Sequence, residues 1–539
     1  MLRELTEEMT RSYLDAGVWQ TRALYEVVDE FAEHSPDRLA VADQHERLTY
    51  AELRRRSANL AAWFGAQGLT PGEPVAVQCG NRNALAVTHL ACDRAGLIFV
   101  PLSHSWRRSE IAHLLDLSRP AVLIVGQAYK GFDCLAAVKE LRPQLPELRV
   151  IVGLDGAVAD VDFDEVCRTD ADFSPPRPDP NAARYVMVTS GTTGLPHMSL
   201  WSDNNLWYFL KTFIHCAQMR PGDVAVGLAP ASTGATGYVF PVLSPLLCGA
   251  SSILLEDWQP TKALELIESS RATHVTAIPT QVLKLFSEPS LHARDFSALR
   301  TFTNSGAAMP ADAGRQLEEV FGCTAHTVYG ATDGGTPSML CFGDAPDKRY
   351  TTVGKVYAHN ELRLVDASLR DVPVGQEGEI LWRTPTKSYG YLNEPERTAQ
   401  AFFEDGWYRS GDLGHLDEQG YLSIVGRVKD LIIRGGQNIS PRELEEQIIV
   451  LAEVADVAVI GVPDPVLGER VCACVVLQPG ATLSHEGLVD QLRAAELATY
   501  KLPERLEIFD DFPKSTGGKV SKVELRGMIA ERSVRNVEL

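Results

Sequence analysis

The sequence predicts an α/β protein. It has a large N-terminal domain of two α/β layers plus a β-barrel-like subdomain, then a small α+β C-terminal domain. Three observations carry this. Short apolar runs alternate with helical periodicity over residues 25–125 and again from 185 to about 345, the pattern of doubly wound layers. From about 350 to 425 the apolar runs shorten and turn residues separate them. Beyond Gly426-Arg-Val-Lys-Asp430 a new set of helix and strand signals begins.

Taken in order, Leu48-Thr-Tyr-Ala-Glu-Leu opens a helix at Thr49 or Tyr50. Val75–Gln78 and Leu97–Leu102 are apolar enough for buried strands. Residues 170–182, rich in Pro and Asp, make a connector. Tyr185–Val188, Ala250–Leu255 and His274–Pro279 supply further strands. Glu361–Val365, Gly378–Trp382 and Tyr421–Val425 are the strands of the barrel-like segment. The last section holds a helix over Pro441–Leu451 and strands at Val457–Gly461 and Val471–Val476.

With 539 residues the chain can hold two or three domains and a large core. An apolar share of 45% and a charged share of 23% are those of a soluble globular protein. The net charge of −20 argues against nucleic acid and anionic membrane as partners. The ten cysteines form no C-x-x-C pair or Cys/His cluster, which predicts reduced thiols, no zinc site and a cytoplasmic location. The acidic start Met1-Leu-Arg-Glu-Leu-Thr-Glu-Glu-Met9 is unlike a signal peptide. No uncharged apolar run reaches the length of a membrane span.

The chemistry concentrates first in Tyr185-Val-Met-Val-Thr-Ser-Gly-Thr-Thr-Gly-Leu-Pro-His197. A strand runs into a loop where Gly191 and Gly194 permit positive φ, and Thr189, Ser190, Thr192 and Thr193 bring short hydroxyl donors. Such a loop suits a polyphosphate. It is not a Walker loop, because no Gly-x4-Gly-Lys-Ser/Thr occurs. Through Pro196 it resembles the phosphate loop of the adenylate-forming superfamily, which includes acyl-CoA ligases, peptide-synthetase adenylation domains and beetle-type luciferases.

Other segments resemble that superfamily in its order, from about Leu48 to Lys519. In Tyr329-Gly-Ala-Thr-Asp-Gly-Gly335 the resemblance puts Tyr329, Gly330 and Ala331 by the adenine, Thr332 on phosphate and Asp333 on Mg²⁺. Ser305-Gly-Ala-Ala308 resembles a turn near adenine, with Gly306 and Ala307 on the nucleotide and Ser305 and Gly335 toward substrate. Tyr408-Arg-Ser-Gly-Asp412 supplies a carboxylate for both ribose hydroxyls, and Gly426-Arg427-Val-Lys429-Asp430 a second ribose contact and the pivot. Gly390-Tyr-Leu-Asn-Glu-Pro-Glu-Arg-Thr398 resembles another family signature. Gly435 and Gly436 would admit a pantetheine thiol, and Lys519 would reach the α-phosphate and acyl oxygen.

The resemblance implies division into residues 1–428, binding adenylate and acyl group, and 429–539, a mobile lid hinged at Lys429. It implies a two-step ligase using ATP, Mg²⁺ and coenzyme A. A carboxylic acid is first adenylated with help from Lys519; the lid then turns and a thiol attacks. The acceptor is CoA or a separate carrier protein.

The departures are His197 for the loop lysine, Met198 for a glycine and Asp333 for a glutamate. All lie on the triphosphate side, where losing one charged donor costs about 3–4 kcal/mol. An alternative is therefore an enzyme competent only in thioesterification, using a companion's adenylate, or a non-catalytic adenylate-binding relative. The segment Leu228–Tyr238 should line the acyl pocket. Thr233, Gly234 and Gly237 leave room there, and no carboxylate between Ala229 and Leu247 awaits an amino group. A bulky carboxylic acid is the expected substrate.

Overall fold

The computed structural model describes residues 7–169, 177–189, 195–231, 234–403, 405–435, 437–495, 497–514 and 520–535. Two compact units emerge: Met1–Gly191, Leu195–Glu361 and Trp382–Arg409 make the first, and Leu362–Leu381 with Ser410–Leu539 most of the second.

The first unit holds two sheets. One has seven strands in the order His197–Ser202, Ala183–Thr189, Ile98–Ser103, Pro74–Cys79, Val122–Val125, Val150–Gly153, Val161–Asp162. All of its pairings are parallel except that of 197–202 with 183–189. The other has nine, with a parallel centre formed by Thr324–Ala331, Thr301–Ser305, His274–Ala277, Val224–Gly227, Ser251–Leu254 and Leu39–Ala42. Strands such as Ile98–Ser103 and Val122–Val125 are buried throughout, as expected where both faces of a parallel sheet are covered, whereas Thr301–Ser305 and His274–Ala277 bury polar side chains as well. The largest core takes side chains from both sheets, among them Val75, Phe99 and Tyr185 from one and Val41, Ala225 and Val328 from the other. The predicted pair of α/β layers is therefore present.

The helix expected at Thr49 or Tyr50 spans Tyr50–Ala66. Thr49 Oγ1 accepts from the Glu52 backbone N–H at 3.2 Å, and Glu52 Oε2 accepts from the Thr49 N–H at 2.8 Å, a reciprocal cap.

Two expectations need correction. The segment from about 350 to 425 does not close into a barrel. Its strands Glu361–Val365, Gly378–Arg383, Tyr408–Leu416 and Leu422–Arg427 form an open four-stranded sheet in that order. Four strands are too few to wrap around a filled interior. Nor are all thiols free. Cys216, ending the helix Asp203–Cys216, is disulfide-bonded to Cys341, 125 residues away, a pairing that no local spacing reveals.

The second unit adds a sheet in which Gly468–Leu477 pairs with Val454–Asp464, Ile432–Arg434 and Arg505–Phe509. Cys472 and Cys474 share one buried face of its central strand. No helix among the described residues is long and apolar enough to cross a membrane.

Candidate active site

The candidate residues are built at strand ends. In the first unit, Thr189 closes strand 183–189 and faces His197, which opens the antiparallel strand beside it; Thr189 Oγ1 donates to the His197 carbonyl at 3.4 Å. Ser190, Gly191, Thr192, Thr193 and Gly194 lie outside the described residues, as do Thr233, Gly436 and Lys519.

Strand 197–202 has a second partner along its free edge. Leu200 N–H donates to the Gly390 carbonyl at 2.9 Å, Tyr389 N–H to Leu200 at 2.8 Å and Leu392 N–H to Met198 at 2.8 Å. Gly390 is required here. Its φ is +111°, and a Cβ would stand 2.4 Å from Thr398 Cγ2. The Thr398 hydroxyl accepts from the Tyr391 N–H at 2.9 Å and donates to the Glu394 carbonyl at 3.0 Å, closing the turn. The Gly390…Thr398 pattern thus has a local cause, and it delivers Tyr391 and Glu394 to the site.

Glu394 meets His197: imidazole Nδ1 lies 2.9 Å from Oε1 and 3.0 Å from Oε2. Arg397 Nε reaches Glu394 Oε1 at 3.2 Å, and His113 sits nearby, bonded to the Pro196 carbonyl at 3.0 Å. Burial holds the His197 pKa below the ordinary histidine value, against the opposing pull of Glu394. The ring is mostly neutral at pH 7, with Nδ1–H given to the carboxylate and Nε2 left as an acceptor.

The turn after strand 324–331 is gripped on every side. The Thr332 carbonyl accepts from Ser199 Oγ at 2.9 Å and Trp201 Nε1 at 3.1 Å. The Asp333 carbonyl accepts from Ser388 N at 3.2 Å and its Oγ at 2.6 Å. The Gly334 carbonyl accepts from Trp382 Nε1 at 2.7 Å. A Cβ on Gly334 would stand 2.3 Å from the Tyr408 ring, so only glycine lets that ring in. Its hydroxyl donates to Asp333 Oδ1 at 2.9 Å, and the Tyr391 hydroxyl donates to Oδ2. Burial first, then the charge of Asp333, pushes the Tyr391 phenol well above the usual tyrosine range. A magnesium ligand needs an oxygen lone pair free to meet the ion. Each Asp333 oxygen already accepts a phenol proton and keeps one further lone pair, but the residue is only 8% exposed, which leaves poor access for a hydrated ion.

Thr332 and Gly234 are brought together: the Cβ position of Gly234, at φ +64°, is 3.7 Å from Thr332 Cγ2 and from Met187 Sδ. Gly237 is buried in the irregular helix Ala235–Leu243. Gly306 and Ala307 are exposed, and Gly306 has φ +88° with its Cβ position in ordinary contact with Thr236 Oγ1 at 3.7 Å and Ile278 Cγ2 at 3.9 Å. Ser305 Oγ donates to the Val328 carbonyl at 3.1 Å, next to Tyr329, whose ring meets Trp382 edge-on at 5.7 Å. Gly330 and Gly335 sit back to back, a Cβ on Gly330 falling 2.5 Å from the Gly335 carbonyl; Ala331 pairs with Gly335. A cavity of about 560 Å³ lies elsewhere in this unit, along Ile214, Cys216, Met219 and Phe342.

In the second unit Asp412 and Arg427 are cross-strand partners, with Arg427 Nε 2.9 Å from Asp412 Oδ1. Asp412 is buried, Arg427 and Lys429 are exposed, and Gly435 takes φ +57° at the tip of the hairpin Ile432–Ile439.

Residues 28–392 match the model of the AMP-binding enzyme family, and residues 443–519 that of its C-terminal domain. The chain belongs to this family. It is an adenylate-forming enzyme, a ligase that activates acyl groups. It is 33% identical over 98% of its length to a medium-chain fatty-acid–CoA ligase of Escherichia coli, covering 94% of that protein. It is 30% identical to the 2-hydroxy-7-methoxy-5-methyl-1-naphthoate–CoA ligase of Streptomyces carzinostaticus, over 98% of this chain and 97% of that one. Among solved structures it resembles ATP-bound MatB from Rhodopseudomonas palustris, with a TM-score of 0.85, 27% identity, and coverage of 94% and 98%.

Sequence reasoning missed Glu394, Tyr391, Tyr408, Ser199 and Trp201. Three of these stand inside segments already singled out, and a polar or aromatic residue there without an assigned role was the available signal.

Proposed function

We propose that this cytoplasmic enzyme is an acid–thiol ligase that adenylates a bulky carboxylic acid with ATP and passes the acyl group to coenzyme A. The observation that carries this is the Asp412–Arg427 pair: a buried carboxylate, oriented by a guanidinium, that can accept both hydroxyls of one ribose. Tyr329, Gly306 and Ala307 flank the adenine, Thr332 and the 189–194 loop hold phosphate, and Lys519 neutralises charge on the α-phosphate. Ser305, Gly335, Gly234, Gly237 and Thr233 line the acyl group. Lys429 is the hinge between residues 1–428 and 429–539, and Gly435 and Gly436 admit the thiol. The likeness to a naphthoate–CoA ligase supports the bulky acid and CoA.

A second reading, thioesterification of an adenylate made by a companion enzyme, is favoured by one observation. The His197 Nδ1 is committed to Glu394, so this residue brings no fixed positive charge of the kind a lysine would supply there.

The test is paired, with a panel of bulky acids. One arm follows acid-dependent pyrophosphate release from ATP; the other supplies presynthesised acyl-adenylates and CoA and follows thioester by mass spectrometry. Product in both arms supports the full ligase, and thioester in the second arm alone supports the half-enzyme. No thioester in either arm overturns both.

A further inference from the structure

Deepening the adenylating reading above, we propose that Asp333 is not a magnesium ligand but the anion of a buried clamp. Tyr391 and Tyr408 close on it as positioning residues that aim Thr332 at the phosphate.

The three side chains are among the least exposed polar groups of the site, at 8% for Asp333, 9% for Tyr391 and 5% for Tyr408. Each carboxylate oxygen accepts one phenol O–H. Such charge-assisted bonds are about twice as strong as neutral ones. Each oxygen keeps a second lone pair, but at 8% exposure an ion that retains part of its water shell reaches it only if a phenol moves aside, and that hydroxyl then loses its carboxylate acceptor.

The carboxylate cannot swing outward with its backbone either. The carbonyls of Thr332, Asp333 and Gly334 are all held, by Ser199 and Trp201, by Ser388, and by Trp382. An aspartate in place of a glutamate shortens the reach further, by one methylene.

What the clamp does instead follows from what it joins. Tyr391 belongs to the segment docked on strand 197–202, and Tyr408 opens the strand Tyr408–Leu416. Both converge on the residue after Thr332. The Thr332 side chain borders Gly234, its Cγ2 3.7 Å from that glycine's Cβ position. Fixing Asp333 from two directions, with the Thr332 carbonyl itself held by Ser199 and Trp201, fixes the backbone from which the Thr332 side chain projects.

The test is a manganese titration, with free Mn²⁺ read by electron paramagnetic resonance in the presence of ATP. Wild type, Asp333→Asn, Tyr391→Phe and Tyr408→Phe are compared, with KM for ATP and melting temperature alongside. The proposal expects Mn²⁺ affinity within about twofold for wild type and Asp333→Asn. It also expects a raised KM for ATP in all three variants, and no further loss of melting temperature when Tyr391→Phe is added to Asp333→Asn. A loss of about tenfold in Mn²⁺ affinity for Asp333→Asn, with the phenylalanine variants like wild type, overturns it. If Asp333→Asn does not fold, Tyr391→Phe decides: an unchanged KM for ATP overturns the clamp. Should wild type hold neither ATP nor Mn²⁺, the adenylating reading fails separately. The clamp is then judged on melting temperatures alone, where additive losses overturn it.

Discussion

The imidazole Nδ1 of His197 lies 2.9 Å from Oε1 of Glu394. A carboxylate therefore claims the one ring nitrogen that is protonated in the neutral form, and the other presents a lone pair. Toward a phosphate oxygen, that lone pair repels. Nucleotide binding at this end of the loop must draw a proton onto His197 or do without it.

This makes the first half-reaction dependent on pH. Burial holds the His197 pKa below the ordinary histidine value, so its cationic fraction grows only as pH falls below neutral. Acid-dependent pyrophosphate release should rise from pH 8 toward pH 6. His197→Lys, with a fixed charge, should flatten that profile and raise the rate at pH 8 by about tenfold or more. Thioester formation from presynthesised adenylate should be unchanged. A His197→Lys enzyme as slow and as pH-dependent as wild type would show that the ring does not meet phosphate.

Asp412 and Arg427 give a prediction about affinity. Asp412→Ala removes the acceptor proposed for two ribose hydroxyls. Hydrogen bonds to a charged group contribute about 1.5–3 kcal/mol each, so losing two should make an acyl-AMP analogue bind roughly 10² to 10⁴ times more weakly by calorimetry. Arg427→Ala should lose less, because the exposed guanidinium orients the carboxylate. Equal affinity in wild type and Asp412→Ala would remove the ribose assignment.

Gly334 tests the packing under the clamp. Its Cβ position is 2.3 Å from the Tyr408 ring, closer than carbon atoms approach. Gly334→Ala must push Tyr408 off Asp333. Overpacking of this kind costs about 1–3 kcal/mol, read as a lower denaturation midpoint. Tyr408→Phe, which keeps the ring and loses only the hydroxyl, should cost less. An alanine tolerated without loss would mean that the turn has slack.

How much of this was legible in the chain depends on distance along it. The strand at 183–189, the turn at Tyr329–Gly335 and the Asp412 segment are contiguous motifs, and their residue types state their chemistry. The layered sheets were legible for a similar reason, since stretches such as Leu97–Leu102 and Tyr185–Val188 are apolar enough to mark buried parallel strands. The partners were not. Glu394 is 197 residues from His197, and Tyr391 and Tyr408 are 58 and 75 residues from Asp333. Nothing local in those tyrosines distinguishes a core ring from a ring whose hydroxyl caps a carboxylate. The open four-stranded sheet was misjudged because short strands with turns look alike whether or not their edges meet. The Cys216–Cys341 bond was hidden because one cysteine ends a helix and the other follows a distant strand.

The last prediction concerns stability rather than chemistry. Asp93 and Asp203 lie together, both buried, at the start of the helix Leu24–His34. Asp93 Oδ2 accepts from the Tyr25 N–H at 2.8 Å and Asp203 Oδ2 from the Leu24 N–H at 3.3 Å. Burial first, then the Asp93 charge, raises the Asp203 pKa well above the usual carboxylate range, which favours one shared proton on the pair above the pH where an ordinary carboxylate has lost its own. A raised folded-state pKa gives stability that is fully present below the unfolded value, about 3.9, and is lost as pH climbs through the folded one. Across that window the loss is about 1.4 kcal/mol per pH unit for one group. Asp203→Asn keeps an acceptor for the Leu24 N–H, supplies its own donor to Asp93 and has no proton to lose. Denaturation midpoints of wild type should fall from pH 5 to pH 9 more steeply than those of Asp203→Asn. The two should converge at the acid end, where the shared proton is held anyway. Parallel curves would mean that the pair is ionised in both states and that Arg184, which lowers both pKa values, carries the compensation instead.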